Sequence, residues 1–167
     1  MRLFFALWPP PDTAKALANW AEEVARGAGG KPVTAEKIHL TLAFLGEADS
    51  ENAIAAAGQV RCEAFKLPIE TSQYWKHNRI VWAGPERTPD PLERLVQALQ
   101  FELFRAGYIL ERRPFAAHVT LLRKARAPET LADLPAVAWA VSEFVLVQSR
   151  TSREGAAYLP VARFSLV

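Results

Sequence analysis

The stretch Ile38–Gly46 reads "IHLTLAFLG", and its two polar side chains, His39 and Thr41, are two residues apart. Side chains alternate across a strand, so both point to one face, while Leu40, Leu42 and Phe44 are expected on the other. The stretch Ala117–Ala125, "AHVTLLRKA", repeats the arrangement: His118 and Thr120 share a face opposite Val119 and Leu121. These two segments use two of the three histidines in the chain.

Each segment closes a similar run. The strand-like "RLFFALW" stops at Pro9, Pro10 and Pro11, which cannot continue a ladder, and a helix follows with Asp12 as the expected N-cap. In the second half "RIVWAGP" is followed by "DPLERLVQALQFELFRAG", with Asp90 as expected N-cap, Pro91 inside the first turn and Gly107 as terminator. His39 lies 35 residues after Phe4, and His118 lies 38 after Ile80. A two-fold internal repeat is expected, its two lobes placing both His-x-Thr faces on a shared cleft.

Between the halves, "SENAIAAAGQVRCEAF" reads as a helix carrying Cys62 as a buried thiol, and "LPIETSQYWKH" pairs with "RIVWAGP" through a turn at Asn78. Two further strands, "WAVSEFVLVQS" and "AAYLPVARFSLV", close the chain. The expected order is β-α-β-α-β-β-α-β-β-β, an α+β fold.

The 167 residues suffice for one core, arranged as one two-lobed domain spanning 1–167. Half of them are hydrophobic and 23% charged, the usage of a globular protein. The net charge of +2 is small but unevenly spread. Arg105, Arg112, Arg113, Arg123, Lys124 and Arg126 face a single acid, Glu111, around the second motif, an excess suited to a phosphate-bearing ligand. A lone cysteine has no internal partner for a disulfide. The apolar run Leu3–Trp8 is too short for a signal peptide or membrane span, so a cytoplasmic protein without membrane contact is expected.

Two imidazoles of ordinary pKa near 6.5 can divide general acid and general base work at neutral pH. Transfer at phosphorus needs that division, because attacking water loses a proton and the departing alkoxide gains one. Threonine hydroxyls can donate to non-bridging oxygens, and Arg123 supplies a planar cation for phosphate. Zinc-ligand spacing, a phosphate loop and a serine-nucleophile elbow are absent; "GAGG" at Gly27–Gly30 follows a helix rather than a strand. No metal or other cofactor is expected. His77, in the polar turn "KHNR", reads as a surface residue.

"HLTL" (His39–Leu42) and "HVTL" (His118–Leu121), with "RLFFAL", "IHLTLAFLGE", "RIVWAG", "PFAAHVTLLR" and "YLPVARFSL" in the same order, resemble the RNA 2′,3′-cyclic phosphodiesterases, formerly called 2′-5′ RNA ligases, of the two-histidine phosphoesterase superfamily. The resemblance implies a bilobal fold of two antiparallel sheets with outer helices around a central cleft. It implies a metal-independent enzyme acting on RNA ends or small cyclic or 2′-5′ linked nucleotides; a monomer is expected. It implies His39 as proton donor and His118 as proton acceptor, Thr41 and Thr120 as catalytic partners, Arg123 as phosphate ligand and Phe4 near the base. Phe44 stands where Arg123 would correspond, so charge is expected to favour the second lobe. The alternatives are 2′-5′ end ligation, hydrolysis of 2′-5′ linked or cyclic nucleotides, and a non-catalytic RNA-binding module.

Overall fold

The computed structural model describes residues 1–167. Its strands are β1 (Arg2–Leu7), β2 (Lys31–Pro32), β3 (Leu40–Glu47), β4 (Phe65–Lys66), β5 (Thr71–Trp75), β6 (Ile80–Gly84), β7 (Val119–Arg123), β8 (Ala140–Val141), β9 (Glu143–Ser152) and β10 (Gly155–Ser165). Its helices are α1 (Pro11–Ala28), α2 (Ser50–Ala57) and α3 (Asp90–Arg105), with a short 3-10 turn at Ala35–Lys37 before the first motif.

The long strands run in the order β10-β9-β1-β3-β7-β6-β5, with β2 on β7 and every pairing antiparallel. One half, β10-β9-β1-β3, meets the other, β7-β6-β5, only through the register pair Leu40–Val119. β4 and β8 form a separate two-stranded ribbon.

The helices cover one face of these sheets. Along α1, Leu17, Trp20, Ala21 and Val24 are buried, and along α3, Leu92, Leu95, Val96, Leu99 and Leu103, the i, i+3, i+4 spacing of an apolar stripe. They join Leu3, Phe5, Leu7, Leu40, Leu42, Val119 and Leu121 in one core. α1 packs on β2 and β7 of the second half, and α3 on β3 of the first, so each motif strand is backed by the other half's helix. The opposite face carries a smaller apolar cluster, Phe4, Ala6, Val145 and Val147, flanked by Trp8 and Tyr158.

Some local expectations need correction. Neither Asp12 nor Asp90 caps its helix: the cap positions are Pro10 and Pro89, without a side-chain bond. Proline within the first turn lacks an N–H that would need a cap, and both aspartates sit in that turn, where the helix dipole favours negative charge. α2 ends at Ala57, with Gly58 at its C-cap, so Cys62 lies beyond the helix and is half-buried. The irregular segment between β7 and β8 is pinned to α1: Thr13 Oγ1 donates to Ala138 O at 2.6 Å, and Trp20 Nε1 to Ala132 O and Asp133 O.

Candidate active site

His39 and His118 are the residues immediately before β3 and β7, and Leu40–Val119 is the pair that joins those strands. The two histidines therefore flank one point of the sheet. With Thr41, Thr120 and Arg123 they line a cleft of about 1020 Å3 on the face away from the helices. His39 Nδ1 donates to Lys37 O at 2.7 Å and His118 Nδ1 to Ala116 O at 2.8 Å. Carbonyls only accept, so each Nδ1 carries a proton, and Nε2 is the ring nitrogen left for chemistry.

Each motif strand then bulges at the same place. Ala6 pairs with Thr41 but Phe5 with Ala43, which makes Leu42 the extra residue; Trp82 pairs with Thr120 but Val81 with Leu122, which makes Leu121 the extra one. A bulge reverses the facing of the residues beyond it. Strict alternation would send Phe44 and Arg123 into the core; after the bulges Leu42, Leu121 and Leu122 are buried, whereas Phe44 and Arg123 line the cleft. The expectation that Phe44 shares the face of Leu40 and Leu42 fails for this reason. Phe44 thus faces the cleft from one motif strand and Arg123 from the other, but Arg2 and Lys37 also line it, so its charge does not come from the second lobe alone.

Aromatic rings enclose both imidazoles. Trp8 stacks on His39 with centroids 4.7 Å apart and planes 14° from parallel, and Phe4 and Tyr158 approach at 5.2 Å each. His118 meets Trp75 at 4.7 Å and Trp82 at 6.2 Å, both steeply inclined. Phe4 is only 3% exposed and lies against His39, while Phe44, 5.9 Å from it, is 59% exposed and is the ring on which a base could lie. His77 is exposed in the β5–β6 turn, beside Trp75.

Burial disfavours the charged forms. The pKa of His39 falls to about 4, first through desolvation, with Arg123 and His118 adding repulsion and the Lys37 carbonyl opposing them. His118 is also held below its ordinary value by burial, then by Arg123, against the Ala116 carbonyl. Both imidazoles of the free protein are therefore neutral at pH 7.

Sequence reading missed Trp8, Arg2, Lys31, Lys37 and Asn78, of which all but Trp8 line the cleft. Trp8 had a signal in its place at the end of the first strand, just before the prolines. Arg2, Lys31 and Lys37 bring positive charge to a wall whose only acids are Glu111 and Glu154. No three His, Cys, Asp or Glu side chains converge in the molecule, and no helix is long and apolar enough to cross a membrane.

The family model described as LigT like phosphoesterase matches the chain twice, over residues 7–82 and 83–158. The chain is 36% identical to the RNA 2′,3′-cyclic phosphodiesterase of Escherichia coli K12 across 99% of its own length and 96% of that protein's. It is 33% identical to the protein of the same name from Thermus thermophilus, covering 99% and 90%. The crystal structure of E. coli LigT complexed with 3′-AMP superimposes with a TM-score of 0.90 at 34% identity, covering 99% of this chain and 97% of that one.

Proposed function

Because the chain belongs to the LigT-like phosphoesterase family, we propose that it opens RNA 2′,3′-cyclic phosphates to 2′-phosphomonoesters with His39 and His118 as its acid–base pair. The whole chain, residues 1–167, acts as one two-lobed domain and as a monomer. In the proposed step, Nε2 of His118 takes a proton from water as the water oxygen bonds to phosphorus. The bond from phosphorus to the 3′ oxygen breaks, and Nε2 of His39 gives that oxygen its proton. The 2′ oxygen keeps the phosphate. Thr41 and Thr120 donate hydroxyl hydrogen bonds to the non-bridging oxygens, and Arg123 offers its planar cation. Phe44 is placed to cover a base.

The observation that carries this reading is the matched pair of imidazoles, each tethered through Nδ1 to the carbonyl two residues before it and each leaving Nε2 for the same cleft. Neutral His118 suits a base. His39 suits an acid once a phosphate anion is bound, because that charge opposes the desolvation and the repulsion from Arg123 that keep it neutral in the free protein.

The test is a product assay with a short RNA ending in a 2′,3′-cyclic phosphate, in excess EDTA, followed by phosphorus NMR. Wild type is expected to yield the 2′-phosphate, with His39→Ala and His118→Ala slower by about 10²- to 10⁴-fold. A 3′-phosphate product, or rates unchanged in either variant, would overturn the assignment.

A further inference from the structure

The basic run noted in the sequence is divided by the fold. Arg112 and Arg113 border a groove along α3, Arg113 being paired with Glu111. Arg123 instead lines the cleft, Lys124 and Arg126 follow it directly in the chain, and three segments meet there: Gly29–Lys31, Lys76–Arg79 and Arg123–Arg126. These eleven residues include six Lys or Arg and no acid, and all six basic side chains are exposed without an ion-pair partner.

The fold holds this charge together despite its mutual repulsion. Lys31 pairs in register with Arg123; Arg126 N donates to Ala28 O at 2.8 Å; Ala125 N donates to Arg79 O at 3.0 Å. The Arg79 guanidinium reaches back to Ala125 O and Lys124 O at 3.3 Å each. Arg79 and Lys124 both adopt left-handed backbone, at φ 58° and 56°, a region where glycine or asparagine is easier to place. Lys31, Asn78 and Arg123 line the cleft itself, so the platform is continuous with the site of chemistry.

We propose that this platform, Lys76, Lys124 and Arg126 extending outward from Lys31 and Arg123, binds backbone phosphates of the RNA upstream of the terminal nucleotide. A reaction at one cyclic phosphate needs only the cleft. A cluster of unpaired cations running out of that cleft matches a ligand that continues as a polyanion, and steers such a ligand toward it. The inference rests on the proposed function for the identity of the RNA end.

The experiment compares wild type with the triple variant Lys76→Gln/Lys124→Asn/Arg126→Gln, in which asparagine retains the left-handed backbone. Substrates are a mononucleotide 2′,3′-cyclic phosphate and a short oligoribonucleotide with the same end. Wild type is expected to gain about 10-fold or more in kcat/KM on the oligomer, and the triple variant to lose that gain while keeping the mononucleotide rate. Its salt slope on the oligomer should be shallower by about 2, three phosphate contacts at roughly 0.7 each. The proposal is overturned if wild type shows no gain with length, if the triple variant keeps the gain, or if Arg112→Gln/Arg113→Gln loses it instead. A gain kept by the triple variant would hand the patch to an acidic protein partner. Absence of turnover on both substrates counts against the proposed function alone. Anisotropy with the oligomer carrying a 2′-phosphate then decides: weaker binding by the triple variant supports the platform, and equal binding overturns it.

Discussion

Leu40 and Val119, each the residue after a motif histidine, form the only register pair between the two halves of the sheet. Both are fully buried, and they fix where the imidazoles stand relative to one another. The spacing of the two imidazoles is thus set by core packing on the helix side of the same strands.

Leu40→Ala should therefore have two effects. Loss of a fully buried leucine costs about 2–5 kcal/mol of stability, read as a lower urea midpoint. Among molecules that remain folded, kcat should fall more than KM rises, because the two nitrogens lose register while phosphate ligands persist. Unchanged kcat in the folded variant would show that the seam does not govern the spacing.

Titration separates the free protein from the complex. His39 has a folded pKa near 4 against an ordinary 6.5, so between those values the unfolded chain binds more protons and stability rises with pH. The stability present above pH 6.5 is lost as pH falls toward 4, by about 3 kcal/mol at most, and His39→Gln should flatten that dependence in urea titrations at pH 4.5 and 7. On the proposed mechanism, a bound phosphate restores the proton. Calorimetry of a 2′-phosphate ligand near pH 7 in buffers of differing ionisation enthalpy should show proton uptake, abolished in His39→Gln. Binding without uptake would argue against His39 as the acid.

The motif histidines were legible because their setting is local: alternation along a strand puts His and Thr on one face whatever the rest of the chain does. The repeat was legible as two similar runs of strand, helix and motif. The bulges were not, since Leu42 and Leu121 look like any apolar strand residue and their pairing depends on β1 and β6, far away in sequence. Phe44 was consequently placed on the wrong face. The missed cleft residues Lys31 and Lys37 come from a two-residue strand and a single 3-10 turn, elements too short to show a period. The helix starts were misjudged by a residue or two because proline satisfies a helix N-terminus by removing a donor, a route a search for capping side chains overlooks.

Trp8 gives His39 a flat π face at 4.7 Å, a geometry that favours imidazolium over imidazole. Trp8→Leu should lower the His39 pKa in the phosphate complex, followed by NMR, and reduce kcat up to about 30-fold, the ceiling for an interaction of about 2 kcal/mol. The indole also donates to Glu36 O at 3.2 Å, so Trp8→Phe, which loses that bond but keeps a ring, is the control. A similar pKa drop in both variants would assign the effect to the hydrogen bond instead of the stacked face.

Gly30 positions Arg123 through backbone contact. It sits at φ +83°, and a Cβ there would lie 2.5 Å from Arg123 O and 3.1 Å from the Ala125 backbone. Only glycine lets β2 approach β7 this closely, so the second half of "GAGG" serves strand pairing beside Arg123. Gly30→Ala must push β2 away from Arg123 and strain its own backbone, costing about 1–3 kcal/mol. Arg123 would then lose its alignment while its charge remains, so Gly30→Ala should resemble Arg123→Lys: weaker phosphate binding, kcat/KM lower by about 10-fold, and little added loss when the two are combined. Gly27→Ala, where a Cβ meets nothing within 4 Å, should leave the rate unchanged and, lying in α1, raise stability by up to about 1 kcal/mol. Full additivity of Gly30→Ala and Arg123→Lys in kcat/KM would mean that the glycine acts on some other part of the cleft.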